Sequence, residues 1–306
     1  MHGTHPLLGV YERIQNEYID EIHFGTPARR ILTNTCLPSI NPLADRLILM
    51  CLLAIQYQLV PEAPILVAAN REEYYDRPST TPSIQSGKPR VLCGIDQRVG
   101  GTWLGVNQHG LFVAACNRVR LMPPLAPRSR GVLCRDLLRA GSAREAVDIA
   151  LEELATGMYD GVNYVVADAE SGWAVHGCEE AEVVRLEQGL SIISSADVND
   201  PRDERVKMAL RLLTLQTLDS PVKFLAVASK VFARAPSPPG RPSMVVRKEK
   251  RGTVSSVLLS LGAKPRDAIF QFADGAPDQT KFEDYSPMLR DILSRGLREA
   301  RAKARA

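Results

Sequence analysis

The sequence lacks the features that mark several large classes of protein. Its six cysteines, in a chain of 306 residues, include no CxxC pair, and none of the five histidines stands at zinc-finger spacing. We therefore expect no structural metal. Cysteines scattered in this way do not form a disulfide framework either, which favours a reducing, cytoplasmic location. The formal net charge of +3 is too small to indicate a nucleic-acid partner.

Long hydrophobic runs are also absent. The longest, residues 47–55, has nine residues, whereas a membrane-spanning helix needs about 20. The run begins far from the N-terminus and no small-residue cleavage site follows it, so it does not resemble a signal peptide. The sequence therefore predicts no transmembrane segment.

The common catalytic signatures are missing as well. The chain contains no GxxxxGK[ST] phosphate loop, no GxGxxG, no HExxH and no GxSxG. Only two histidines, His109 and His176, follow residue 50. Their predicted positions, in a turn and in a strand, favour structural roles for both. A histidine-based catalytic triad therefore has little support.

The composition, with 45% apolar and 24% charged residues, is typical of a globular protein. The character of the chain changes at Met50, because residues 1–49 show no sustained hydrophobic period and the strand pattern starts at Cys51. We predict an N-terminal extension over residues 1–50, a domain over 51–285 and a basic helical tail over 286–306, a solvated end. The extension is interpreted as an over-long gene start or, alternatively, a cleaved propeptide.

Short apolar segments bounded by turn residues predict the strands. They cover residues 51–57, 64–70, 91–93, 101–107, 110–117, 163–168, 172–177, 181–187, 191–194, 253–260 and 268–274. Helical spacing and a capping box at Ser142 predict helices over residues 131–140, 142–156, 203–217, 220–232 and 288–306. Consecutive strands without intervening helices favour antiparallel pairing, so we predict an α+β fold with two mostly antiparallel sheets between helices. We expect a Pro-rich loop at 235–240 and a mobile basic segment at 244–251.

The pair Met50-Cys51 suggests a specific chemistry. If translation starts at Met50, methionine removal makes Cys51 the N-terminal residue. An N-terminal cysteine carries both a thiol and an α-amine, whose pKa of about 7.7–8.0 allows it to act as a base near neutrality. The alternative is that Cys51 is simply a buried strand residue, as free cysteines often are.

Three motifs together resemble a known family. They are Met50-Cys51, the segment Ala-Ala-Asn-Arg-Glu-Glu-Tyr-Tyr-Asp-Arg-Pro at 68–78, and Gly-Gly-Thr-Trp-Leu-Gly-Val at 100–106. They resemble the NRDE family, also called the transport and Golgi organisation 2 family, over about residues 50–285. That family in turn is similar to the N-terminal-nucleophile (Ntn) hydrolases of the bile-salt and penicillin V acylase type. The resemblance implies a four-layer αββα sandwich.

The resemblance also implies roles for individual residues. Cys51 matches the nucleophile, and Arg71 matches an arginine beside the thiol that would favour thiolate. Asn117 matches an oxyanion-hole asparagine. Ser195 stands where relatives have a second asparagine, and it is a shorter donor. Read without the resemblance, Arg71 is equally a surface ion-pair partner, and Asn117 is equally a residue that ends a strand.

Three further residues are candidates for substrate binding. Glu73 is the acidic residue two positions after Arg71, and Tyr74 stands where the acylases have aspartate. Trp103 is either a substrate platform or, alternatively, a core residue. The Asp of the Asn-Arg-Asp-Glu motif is replaced here by Glu72. No metal ligands are predicted.

Two functions from different classes follow from the resemblance. The first is an N-terminal-cysteine hydrolase that cleaves C–N amide bonds of an unidentified small acyl substrate without a cofactor. The second is a non-enzymatic protein that handles haem, lipid or acyl-CoA, in which a cysteine thiolate would ligate the haem iron. In both, the partner is a small molecule.

Overall fold

Antiparallel strand pairing accounts for most of the structure. The computed structural model describes residues 51–235 and 242–305, and thirteen strands lie in these ranges. The first six are β1 (Leu52–Tyr57), β2 (Ile65–Tyr74), β3 (Ser83–Gln85), β4 (Val91–Cys93), β5 (Leu104–Asn107) and β6 (Phe112–Asn117). The others are β7 (Val162–Ala167), β8 (Gly172–Gly177), β9 (Ala181–Arg185), β10 (Gly189–Ile193), β11 (Arg251–Leu261), β12 (Ile269–Ala273) and β13 (Glu283–Asp284).

The strands form two sheets. The first has the order β10-β1-β2-β11-β12-β13, and the second is a continuous meander from β3 to β9. Every neighbouring pair is antiparallel. Strand β1 therefore lies inside the first sheet, with hydrogen-bonded neighbours on both sides. The residue that precedes it is consequently held at a well-defined sheet end.

Five helices are described, and hydrogen bonds from capping side chains fix the starts of four of them. They are α1 (Arg130–Leu137), α2 (Ala143–Ala155), α3 (Glu204–Leu213), α4 (Pro221–Phe232) and α5 (Ser286–Lys303). Ser142 Oγ accepts from the backbone N–H of Glu145, as the predicted capping box requires. Asp203 and Ser220 cap α3 and α4 in the same way.

Three hydrophobic clusters define the layers. Along β1, Leu53 and Ile55 pack between the two sheets, whereas Leu52 and Ala54 pack against α3 and α4. This is the period of two that a strand buried on both faces produces. The outer face of the second sheet packs on α1 and α2. The order helices, sheet, sheet, helices confirms the predicted αββα arrangement.

The structure adds detail to two segment predictions. Met244 and Val245 are fully buried, and Arg251 is buried at the start of β11, whereas residues 247–250 between them are exposed. The two ends of the basic segment are therefore packed, and the mobility of its middle stays a prediction. The tail is helical as expected, but Leu289 and Ile292 belong to the core between the sheets, so only its outer face is solvated.

Other predictions concern residues outside the described ranges. The N-terminal extension, residues 1–50, lies there entirely, as does most of the Pro-rich loop at 235–240. Among the described residues, no helix combines the length and the apolar character needed to cross a bilayer.

Candidate functional site

Strand register places Cys51 beside Arg71. Leu52 of β1 is paired with Asn70 of β2, so the next step along both strands sets Cys51 opposite Arg71. Cys51 is half-buried, and its Sγ lies 4.0 Å from the carbonyl oxygen of Glu72. The nucleophile candidate thus sits at an ordered sheet end rather than within the core.

The four residues 70–73 divide between the two faces of β2, because successive side chains of a strand point to opposite sides. Arg71 and Glu73 belong to the face that borders a cleft between the sheet ends. The side chains of Asn70 and Glu72 instead make hydrogen bonds to the helical layer and to β11, although Glu72 also borders the cleft. Two residues of the motif, Arg71 and Glu73, therefore face the cleft, and the other two, Asn70 and Glu72, make hydrogen bonds that hold the fold together.

Asn70 joins three parts of the fold. Its Nδ2 donates to the carbonyl oxygens of Phe232 and Met244 at 3.0 and 2.9 Å, and its Oδ1 accepts from Ser256 at 2.8 Å. All of its amide atoms are thus used structurally. We predict that Asn70→Ala lowers the free energy of unfolding by about 3 kcal/mol, because it leaves buried carbonyl groups without a hydrogen-bond donor. Urea denaturation would measure this, with Ser256→Ala, which removes fewer bonds, as the milder comparison.

Glu72 is a buried carboxylate behind the cysteine. Its Oε1 accepts from Arg205 at 3.0 Å and from Thr253 at 3.2 Å, whereas Oε2 is buried with no hydrogen-bond partner among the described residues. Burial raises the pKa of the Glu72 carboxyl from 4.5 to about 7, against the opposing effect of Arg205.

The raised pKa of Glu72 predicts a pH-dependent stability. Between pH 4.5 and pH 7 the folded protein holds a proton that the unfolded chain has lost, so the unfolding free energy contributed by this group falls as the pH rises. Glu72→Gln should flatten the stability profile across that window. Thermal melts at steps of half a pH unit would show it, and parallel profiles for the variant and the original protein would contradict it.

Arg71 is held by several contacts at once. Its guanidinium lies 4.1 Å from the centre of the Trp103 ring, Nη1 donates to Ser79 Oγ at 3.2 Å, and Nη2 lies 3.8 Å from a Glu73 carboxylate oxygen. A stacked and hydrogen-bonded guanidinium loses little further entropy when it acts on a charge. The arginine is therefore a fixed cation at the cleft, and it covers one face of Trp103.

A charged network continues from Glu73 along the cleft. Arg77 lies 3.4 Å from Glu73 Oε2 and makes hydrogen bonds of 2.6 and 3.0 Å to Asp96. These bonds hold the pKa of Asp96 below its ordinary value, so this carboxylate stays ionised. Two arginines and two carboxylates thus alternate on this wall.

The thiol of Cys51 is held mostly protonated in this arrangement. Burial raises its pKa from 9.0 to about 12; the nearby Glu72 adds to the effect, and Arg71 opposes it. Arg71 therefore favours the thiolate, as the resemblance implies, but desolvation outweighs its charge and the thiol stays mostly protonated. A base that takes the proton during attack is required instead.

The structure brings five of the predicted site residues together. Cys51, Arg71, Glu73, Trp103 and Asn117 all line one cleft of about 270 Å³. Antiparallel pairing of β1 with β2, and of β5 with β6, brings these segments to the same end of the sandwich. Asn117, the last residue of β6, is paired with Val162 and faces the same space as the thiol.

Two predicted residues are placed elsewhere. Tyr74 follows Glu73 on β2 and therefore faces the other side, where its ring lies 6.0 Å from the Arg251 guanidinium. Ser195 does not line this cleft, and its carbonyl oxygen accepts from the backbone N–H of Val119. Their proposed roles in binding and catalysis stay predictions.

Sequence reasoning missed much of the charged lining. The additional charged residues are Arg77, Asp96, Arg128, Arg130 and Asp160, and the uncharged Thr102 lies among them. The Gly100-Gly101 pair was the one sequence signal for this part of the lining. Gly100 has a φ of 73°, and a Cβ on Gly101 would overlap the backbone of Gly131, so both positions favour glycine. The pair lets the Asp96 loop pack directly on the start of α1, which brings Asp96 and Arg130 to one cleft.

The donor set of the cleft does not suit haem or a metal ion. Among the described lining residues there is one cysteine, with a raised pKa, and no histidine. His176 is buried in the second sheet, where its Nδ1 lies 2.8 Å from Asn163 Oδ1. No group of three or more metal-binding side chains occurs in the described ranges.

Solved structures with a similar arrangement have low sequence identity to this chain. An N-acylethanolamine-hydrolyzing acid amidase ortholog from Caenorhabditis elegans matches at 16% identity and a TM-score of 0.45, over 68% of this chain and 92% of that one. A mutant of the conjugated bile acid hydrolase from Clostridium perfringens matches at 12% identity and a TM-score of 0.46, over 78% and 93%.

Sequence relatives give the family. The transport and Golgi organization protein 2 homolog of Bos taurus is 30% identical over 165 residues, which are 50% of this chain and 59% of that protein. The Homo sapiens homolog is 28% identical over 39% of this chain and 45% of its own length. The chain therefore spans about half the length of these relatives. The family model described as transport and Golgi organisation 2 matches residues 50–233, and this chain belongs to that family.

Proposed function

We propose that this protein is an N-terminal-cysteine hydrolase that cleaves C–N amide bonds of a small acyl substrate, in a form that begins with Cys51. The observation that carries the proposal is that Cys51, Arg71 and Asn117 line one cleft. A nucleophile, a fixed cation and an amide donor are the groups that acyl transfer requires.

The first half-reaction transfers the acyl group to the cysteine. The α-amine of Cys51 takes the thiol proton as Sγ attacks the carbonyl carbon and the C–S bond forms. The Asn117 amide donates to the oxyanion, and Arg71 stabilises the charge that develops on sulfur. The C–N bond then breaks as the α-ammonium returns the proton to the leaving nitrogen.

The second half-reaction releases the acid. Water attacks the thioester carbonyl with the α-amine as base, the C–S bond breaks, and the thiol regains its proton. The raised pKa of the Cys51 thiol fits this scheme, because a proton that moves only during attack does not require a standing thiolate. Glu73 and Asp96 line the same cleft, where carboxylates would stabilise a released amine once it takes up a further proton from water.

The experiment compares two forms of the protein on a panel of N-acyl amides. Intact mass first establishes whether the protein from its native host begins at Cys51. We expect the form that begins at Cys51 to hydrolyse amides and the 306-residue form to be nearly inert, because in the latter residue 50 acylates the amine. A fully active long form would overturn the mechanism.

Haem and acyl-CoA titrations of the same samples test the alternative, that the protein is a non-enzymatic carrier. Stoichiometric haem binding that Cys51→Ala removes, without turnover of any amide, would favour the carrier over the hydrolase. Under our proposal, haem binding is weak and does not depend on Cys51.

A further inference from the structure

A second, smaller cavity adjoins the cleft on the core side of Cys51. It has a volume of about 20 Å³, and it shares Cys51, Arg71, Trp103 and Ala115 with the cleft. Its remaining lining is mostly apolar and includes Leu53, Leu104, Ala114 and Val257. We call this cavity the pit.

The pit and the cleft differ in chemistry. Leu53, Leu104, Ala114 and Val257 belong to the core between the sheets, and each is at most 4% exposed. The cleft instead carries the charged wall of arginines and carboxylates. Cys51 lies between an apolar space and a polar one.

The position of Cys51 between the two spaces indicates where the acyl side and the amine side of an amide substrate would bind. An acyl group attached to Sγ must extend into one of the two spaces, and the leaving amine must reach solvent. Burial of an amine without partners in the apolar pit would be costly, whereas the charged cleft solvates it. The acyl side therefore belongs in the pit.

The size of the pit limits the acyl group. A cavity of about 20 Å³ is about enough for one water molecule or one methyl group. The surrounding side chains are part of a close-packed core, which tolerates extra methylenes poorly. We infer that the substrate is an amide of a short acyl group, of two or three carbons, with Leu104 and Val257 setting the limit. This inference rests on the proposed function.

The test is a chain-length series with one leaving amine. Acetyl, propionyl, butyryl and hexanoyl amides of 7-amino-4-methylcoumarin are compared by kcat/KM, using the protein with its native N-terminus. We expect acetyl or propionyl to be best and at least about a tenfold loss for each further methylene. A flat profile, or a preference for hexanoyl, would overturn the size limit and leave the hydrolase standing.

Variants locate the limit in the pit. Leu104→Ala should shift the optimum to butyryl or longer, and Val257→Ala serves if Leu104→Ala does not fold. Leu111→Ala is the matched control, because Leu111 is equally buried but packs on the helix-facing side of the second sheet. It should lose stability and keep the acyl preference. An unchanged preference in both pit variants would contradict the assignment.

A separate readout covers the case in which no amide turns over. Acyl thioesters of the same four lengths are offered, so that the Sγ–C bond forms, the donor C–S bond breaks and the donor thiol takes the proton. Mass spectrometry then follows acylation at Cys51. A preference for short chains here would support the size limit set by the pit even if no amide is hydrolysed. The absence of acylation by any thioester would contradict both the size limit and the hydrolase.

Discussion

Cys51→Ala is expected to abolish amide hydrolysis, with a loss of at least about a thousandfold in kcat. The cysteine supplies both the atom that forms the covalent bond and the α-amine that moves the proton. Alanine keeps the amine but removes the nucleophile, so the remaining groups can only polarise a bound substrate. Steady-state hydrolysis of the best amide would measure the effect.

A second cysteine provides the control. Cys178 is also half-buried and lies 2.8 Å from the Arg118 guanidinium, but it does not line the cleft. Cys178→Ala should therefore retain activity. Because Cys51 precedes β1 and is only half-buried, its truncation should change stability by no more than about 1 kcal/mol. Activity within threefold of the original protein in Cys51→Ala would end the covalent mechanism.

The layered fold was predictable because its causes are local. Strands such as β4 and β8 match their predicted bounds, since short apolar runs between turn residues leave few alternatives. Strand β3, Ser83–Gln85, was missed because it has only three residues, all half-buried. Its single apolar residue, Ile84, is flanked by polar residues and makes no recognisable hydrophobic run. Its pairing with β4 is supplied by tertiary contacts rather than by propensity.

The candidate site was predictable only in part, for a geometric reason. Alternation along β2 explains why Glu73 reaches the cleft and Tyr74 does not, yet sequence alone does not give the face of each residue. Asp96 and Arg130 come from segments that meet only because two glycines allow close backbone packing. Likewise, the protonated state of Cys51 follows from burial, which no motif encodes.

Arg71→Ala is expected to lower kcat/KM by about 10- to 100-fold. A nearby opposite charge commonly shifts a pKa by about 1–3 units, and Arg71 is the cation that lowers the pKa of the Cys51 thiol against burial. Its removal raises that pKa further and makes the sulfur harder to ionise during attack. Arg71→Lys should lie in between, because lysine keeps the charge but loses the planar stack on Trp103.

The decisive measurement is the pH dependence of Cys51 alkylation by iodoacetamide, followed by mass spectrometry. Because the pKa of the Cys51 thiol is raised to about 12, rates are compared at matched pH on the rising part of the curve. Arg71→Ala should be alkylated more slowly than the original protein at every pH, and Arg71→Lys should lie in between. Arg98→Ala is the matched control, since Arg98 pairs with exposed Asp76 and lies outside the cleft lining. If the Arg71→Ala and Arg98→Ala curves coincide, Arg71 only supports Trp103 and Ser79. The charge that assists Cys51 would then have to come from its own α-ammonium, so the form that begins at Cys51 would carry the whole electrostatic contribution.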